Sequence, residues 1–155
     1  LVMIKKDNLN NSFIKFEKVN KSKQQVNVLY KLLKKRKKNI THTKLPKFKE
    51  HEHFVKNHPY RIWYIVKKLE KEIGYVYLLK NNILGIFIYP PNKKIIIFVI
   101  DWIVKKYKPL KKIKSVRRGN FQINVAPDDT TLKKSVIKIK AKHIQSTFSI
   151  EKKNI

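Results

Sequence analysis

The densest run of chemistry-bearing side chains is "KFKEHEHFVKNHP", which carries Glu50, His51, Glu52, His53 and His58. Carboxylate and imidazole can each accept a proton near neutral pH, which makes His51 and Glu52 general-base candidates. A metal is not expected. His51 and His53 stand two apart, so on a helix they point about 200° from each other, and no third ligand is evident. The chain has no cysteine, which removes disulfides, thiolate zinc sites and a cysteine nucleophile. It also lacks a Ser-His-Asp order, a P-loop and a paired-carboxylate motif. His42, in "NITHTK", is a further imidazole in a loop.

The second chemical stretch is "GIFIYPPNKKIIIFVIDWIVKKYKP", residues 85–109. It reads as a strand, a proline-bearing loop and an apolar helix. Ile96, Val99, Ile100, Ile103, Val104 and Tyr107 recur with the helical period. A helix start offers unpaired N–H groups to an anion. Pro90 and Pro91 donate none, but Asn92, Lys93, Lys94 and Ile95 can, and two ammonium groups stand beside them.

The elements that would position these residues follow from pattern. "NSFIKFEKVN" reads as a first strand. In "KSKQQVNVLYKLLKKRKK", Val26, Leu29, Tyr30 and Leu33 mark one helix face, with Ser22 as N-cap. A second helix follows Pro46, with Phe48, Phe54 and Val55 inward, and stops at Pro59. "YRIWYIVKK", "EIGYVYLLK" and "ILGIFIY" are closely spaced strands, hence antiparallel hairpins, with Asn81-Asn82 in the last turn. After the apolar helix come a basic connection, a strand with Phe121, Ile123 and Val125 inward, and a short helix capped by Asp128 or Asp129. "KHIQSTFSI" is expected to close the fold as a last strand. The order is β-α-α-β-β-β-α-β-α-β.

A length of 155 residues predicts one domain spanning 1–155, with an ordered core over roughly 11–152. The N-terminus lacks the apolar stretch of a signal peptide, and the longest apolar run, 95–100, is far short of a membrane span, so a cytoplasmic protein is expected. The net charge of +28 is made by 34 Lys and only four Arg, while Ile (21) and Asn (13) are also abundant. These residue types share A/T-rich codons, so much of the charge is read as compositional drift on solvated faces. Dedicated nucleic-acid readers favour the bidentate Arg fork. A nucleic-acid partner is therefore possible but not favoured, and the field would still attract anionic ligands. The segment "KKIKSVRRG" holds two of the four Arg and no aromatic side chain for stacking on bases.

Over nearly its whole length the chain resembles the GNAT superfamily of N-acetyltransferases. "EIGYVYLLKNNILGIFI" looks like the family's central hairpin, the 85–109 stretch like its cofactor loop and helix, and "INVAPDDTTLKKSVIKIKAKHIQSTFSI" like its closing strand–helix–strand. "THTKLPKFKEHEHFVKNHPYRIWYIV" further resembles members that acetylate amino sugars for surface polysaccharides. Two departures stand out. The family's loop motif, Gln/Arg-x-x-Gly-x-Gly/Ala, is replaced by a shorter glycine-free "YPPNKKII", which weakens close approach to a pyrophosphate and keeps the charge attraction. The position of the family's general-acid tyrosine holds Val136, and Lys140 stands where a glycine usually follows.

The resemblance implies an α+β fold of GNAT type, with a mostly antiparallel sheet that splays near its centre. It implies transfer of an acetyl group from acetyl-CoA to a primary amine by direct attack. The main chain of Ile86, Phe87 and Ile88 would hold the pantetheine, with Asn124 opposite, and Asn92, Lys93, Lys94 and Ile95 would face the pyrophosphate. His42, Trp63 and Tyr64 would border the acceptor, with one of the two aromatics in the core and the other facing the cleft. The acceptor would be a small amine or a nucleotide-linked amino sugar. The alternative is a catalytically inert module of the same fold that uses its basic surface on nucleic acid or another polyanion.

Overall fold

The computed structural model describes residues 13–36 and 44–150. Its elements are β1 (Ile14–Lys18), α1 (Lys23–Lys35), α2 (Phe48–Asn57), β2 (Ile62–Lys68), β3 (Lys71–Leu78), β4 (Ile83–Ile88), α3 (Lys93–Lys106), β5 (Gln122–Ile123) and α4 (Thr130–Lys138). The strands form one sheet in chain order. The β1–β4 pairs are antiparallel and β4–β5 is parallel.

Strand alternation divides the core in two, because neighbouring side chains leave a strand on opposite faces. Tyr64, Val66, Val76, Leu78, Leu84, Ile86 and Ile88 pack with Ile96, Val99, Ile100 and Ile103 of α3 and Leu132 of α4. Trp63, Ile65 and Tyr75 pack on the other face with Val26, Leu29 and Leu32 of α1 and Val55 of α2. The period read in α3 is thus the core face, except that Val104 is exposed. On α2 the buried positions are His51 and Val55, while the expected inward Phe48 and Phe54 are partly exposed. They edge onto Tyr30 and onto Tyr60 and Trp63 at the rim of the helix layer.

Three helix starts carry a side-chain cap. Ser22 Oγ accepts from Gln25 N (3.3 Å), Asn92 Oδ1 from Ile95 N (3.1 Å) and Asp129 Oδ1 from Leu132 N (3.1 Å). Of the two aspartates considered for α4, the cap is therefore Asp129.

The expected closing strand does not form. Residues 141–150 lie exposed without a ladder, leaving Ile144, Phe148 and Ile150 in solvent. A closing strand needs a neighbour with main-chain groups in register, and β5 offers only a two-residue ladder. In consequence the sheet parts beside its last strand rather than near its centre.

Asn82 builds the closed end of that parting. It is fully buried and sits in the left-handed region (φ 68°), which asparagine tolerates better than other side-chain-bearing residues. Its Nδ2 donates to Leu110 O and Arg118 O (2.8 Å each), its Oδ1 accepts from Leu110 N (2.7 Å), and its carbonyl accepts from Gln122 N (3.1 Å). One residue thus ties the β3–β4 turn to both ends of the connection between α3 and β5. Replacing it leaves buried partners unsatisfied, so Asn82→Ala should lower stability by about 3 kcal/mol. Asn82→Asp, which keeps the acceptor and the backbone tolerance, should cost less. Urea midpoints at unchanged m-value measure both, and a loss for Asn82→Ala no larger than a surface substitution's would remove Asn82 from this role.

Candidate active site

The site is made by the point where β4 loses its neighbour. β4 and β5 are paired only at Ile83–Gln122 and Leu84–Ile123. Beyond that, among the described residues, the outer edge of β4 has no strand beside it. A cleft of about 280 Å³ opens there and is lined by Gly85 to Ile88 on one wall and by Asn124 and Ala126 on the other. Ile96 and Leu132 close it on the α3 and α4 side. Lys35, Arg36 and Tyr77 border it on the α1 side, and Tyr89 and Pro91 stand toward the α3 start.

Gly85 has a steric role. It is the cross-strand partner of Tyr77, and a Cβ at position 85 would fall 2.0 Å from the Tyr77 ring. The missing side chain lets the tyrosine lie across β4 and reach the cleft. Tyr60 stacks on its other side at 4.1 Å and 4°. Below it, Arg36 Nη1 donates to the hydroxyl of Tyr75 (2.8 Å), whose pKa burial pushes up. Lys35 Nζ sits 5.2 Å above the Tyr89 ring. Tyr77, Lys35 and Arg36 were not singled out from the sequence. Tyr77 is visible only once the Tyr77–Gly85 register is known, and Lys35 and Arg36 lay inside a basic run that reads as a helix end.

The cleft brings together Ile86, Phe87, Ile88 and Asn124, which were expected beside a pantetheine. Asn92, Lys93 and Lys94 are exposed at the start of α3, next to Pro91 at the cleft. Ile95 is not a free donor, because its N–H is held by the Asn92 side chain.

His51 and Glu52 lie elsewhere. His51 is 5% exposed between α1 and α2, its Nε2 lies 3.1 Å from Val26 O, and its ring packs at 5.1 Å on Tyr30. Burial holds its pKa below the ordinary imidazole value. Glu52 lies at the surface, and its hydrogen bond from Lys56 (2.9 Å) lowers its pKa. Neither lines the cleft.

Trp63 and Tyr64 are both buried, on opposite faces. Trp63 packs among Phe54, His58, Tyr60 and Tyr75, and its Nε1 has no hydrogen-bond partner among the described residues. Tyr64 shares a 2.5 Å hydrogen bond with Tyr107. The expectation that one of the pair would face the cleft is therefore corrected: strand alternation sends the two side chains to opposite cores, and each core has a helix layer over it. His42 lies outside the described residues. Among those residues no group of three or more His, Cys, Asp or Glu is placed to hold a metal, and no helix is long and apolar enough to cross a membrane.

Known structures share this fold. A possible acetyltransferase from Clostridium difficile 630 covers 90% of the chain and 97% of its own, with a TM-score of 0.55 at 11% identity. Campylobacter jejuni N-acetyltransferase PseH covers 90% and 92%, with a TM-score of 0.54 at 16% identity. The aminoglycoside N-acetyltransferase AAC(6')-Iy, solved with CoA, covers 90% and 94%, with a TM-score of 0.56 at 14% identity. No protein-family model and no curated protein matches the chain. The fold is that of the GNAT N-acetyltransferases, α+β as expected from the sequence.

Placing His51 in a helix contact has a measurable consequence. His51 and His58 are both held below the ordinary imidazole pKa, chiefly by burial. The unfolded chain therefore binds their protons more readily than the folded one. Their contribution to stability is complete above the unfolded value and is lost as pH falls from there toward the folded values. His51→Gln, whose amide can still donate to Val26 O, should flatten this acid-side loss between pH 7 and 5, as read from urea midpoints. Unchanged pH dependence would mean that the imidazole is not buried in solution.

Proposed function

We propose that the protein is an acyl-CoA-dependent N-acyltransferase that passes an acetyl or other small acyl group to a primary amine. The observation that carries this reading is the unpaired edge of β4 from Gly85 to Ile88, which faces Asn124 across the cleft. Main-chain N–H and C=O groups left open at a strand edge are suited to the amides of a pantetheine, as an added strand would be. Asn124 can offer either half of its side-chain amide from the opposite wall. The diphosphate would meet the first turn of α3, where the main-chain N–H groups of Lys93 and Lys94 and their ammonium groups are available. Asn92 serves there as the cap rather than as a contact. The known structure solved with CoA has this fold, which supports the same choice of acyl donor.

The amine would attack the thioester carbon directly, because the chain has no cysteine and, among the described residues lining the cleft, there is no serine and the one threonine, Thr131, has no imidazole beside it there. The C–N bond forms, the C–S bond breaks, and the departing thiolate takes up a proton. The proton lost by the amine would pass to water, since His51 and Glu52 stand apart and, among the described residues lining the cleft, the carboxylate present is Asp129, which caps α4. An amino-sugar acceptor rests on sequence resemblance. Use of acyl-CoA is in keeping with a cytoplasmic protein. The net charge of +28 favours one competitor, an inert module of this fold that binds polyanions.

Thermal melting separates the two. At a hundredfold excess over Kd, acetyl-CoA should raise Tm by roughly 5–10 °C, and free CoA nearly as much. A DNA or RNA duplex at physiological salt should do little. The reverse pattern would replace the enzyme with the binding module, and high salt should then abolish the duplex effect.

A further inference from the structure

The cleft has two sides with different chemistry, and this bears on the acceptor. On β4, Leu84, Ile86 and Ile88 turn to α3 and α4, where the diphosphate would enter. Gly85 and Phe87 turn to the α1 side, with Tyr77 lying over Gly85. An acceptor that does not compete with the acyl donor therefore approaches from the α1 side. Among the described residues, the charged side chains lining the cleft are Lys35, Arg36 and Asp129. Asp129 belongs to the far wall, where one of its oxygens holds the first turn of α4. The two cations are on the α1 side.

Arg36 is also held in place. It ends α1, its N–H donates to Leu33 O (3.0 Å), and its guanidinium is fixed by the hydroxyl of Tyr75. The floor beneath it is aromatic, with Tyr75 buried and Tyr77 alongside. A charge beside such a floor acts through a lower dielectric than one in open water. Lys35 adds a second cation close by, over Tyr89. An acceptor with several positive charges would meet like charge here and a net charge of +28 on approach. An acceptor carrying an oxyanion would be drawn by both.

Resting on the acyl-transfer reading, we propose that the acceptor is an amine that also bears an oxyanion, a phosphate or a carboxylate. Arg36 and Lys35 hold that oxyanion, and the amino group is thereby delivered to the β4 edge at Gly85. Charge-assisted hydrogen bonds from a guanidinium or an ammonium to either oxyanion are stronger than neutral ones.

The test is acetyl-CoA turnover, followed by thiol release in about 150 mM salt, where charges more than about 8 Å away are screened. The acceptors are glucosamine 6-phosphate, muramic acid, glucosamine and spermidine. At least one of the first two should exceed glucosamine by roughly tenfold in kcat/KM, with spermidine lowest. The better of the two identifies the oxyanion. Lys35→Glu, at an exposed position where folding is not at stake, should raise KM for that acceptor and leave KM for acetyl-CoA unchanged. Arg36→Gln should do the same, and Arg36→Lys should restore part of the loss. Lys111→Gln combined with Lys112→Gln, outside the cleft, should change nothing.

Equal use of glucosamine, or a preference for spermidine, overturns the proposal. So does a rise in KM for acetyl-CoA in Lys35→Glu, which would assign these cations to the diphosphate. If acetyl-CoA stabilises the protein but neither oxyanion acceptor reacts, the proposal falls and the acyl-transfer reading stands. If acetyl-CoA fails to bind, both fall.

Discussion

Strands β4 and β5 share two residue pairs and then separate, and one buried amide holds the point of separation. An open strand edge invites closure, because unpaired main-chain groups gain by finding any partner. Two features keep this one open. Gln122 is tied to the carbonyl of Asn82, so β5 cannot slide along β4. Pro127, four residues after Ile123, has no N–H with which to extend a ladder. The side chain of Asn82 anchors both ends of the connection that delivers β5, so the angle between the strands is set away from the cleft. The separation is then a built shape rather than a frayed edge.

The two faces of the sheet divide the remaining work by composition. Along β4 the α3 side is aliphatic, with Leu84, Ile86 and Ile88 against Ile96, Val99, Ile100 and Ile103, while its aromatic cluster of Phe16, Tyr64 and Trp102 lies at β1 and β2. It gives the first turn of α3 a rigid seat, and Asn92 fixes where that turn begins. The α1 side is aromatic and carries its polar groups within reach of one another. Tyr60, Tyr75 and Tyr77 stack or tilt around Trp63 and Phe87, and Arg36 is pinned among them. An aliphatic wall suits a carrier chain held by its backbone amides. An aromatic wall with fixed cations suits discrimination between small polar molecules. The glycine at 85 connects the two, since the Tyr77 ring of the α1 face crosses β4 over it to reach the cleft.

Much of this was legible in the sequence because it rests on local rules. The helical period from Ile96 to Ile103, the hairpin spacing from β2 to β4 and the caps at Ser22 and at Asp128 or Asp129 each depend on residues within a few positions. What failed depended on partners. The pattern of "KHIQSTFSI" is that of a strand, but a strand is a pairing, and β5 is too short to provide one. His51 has the right chemistry for a base, yet its helix face is set by packing against Val26 and Tyr30 of α1, which no local rule reports. Trp63 and Tyr64 were correctly seen to face opposite ways. That both faces would be covered depended on where α2 and α3 settle. Tyr77 and Arg36 became visible only through cross-strand register and the end point of α1.

The glycine-free loop now has a physical account. A glycine loop binds a diphosphate by bringing main-chain N–H groups close, a geometry that is short-ranged and sterically demanding. Here Pro90 and Pro91 withhold two donors, and Asn92 takes a third, that of Ile95, for the helix cap. On the acyl-transfer reading, what would be left for the diphosphate is the first turn of α3, with the main-chain N–H groups and ammonium groups of Lys93 and Lys94 at a helix start whose partial charge is positive. Coulomb attraction falls off more slowly with distance than contact does, so such a site tolerates a looser fit and gives up geometric selectivity for range. On a chain of net charge +28, range is already supplied by the whole surface. On the acyl-transfer reading, the loop would need only to mark where a phosphate stops, and the open edge of β4 would be left to decide what is attached to it.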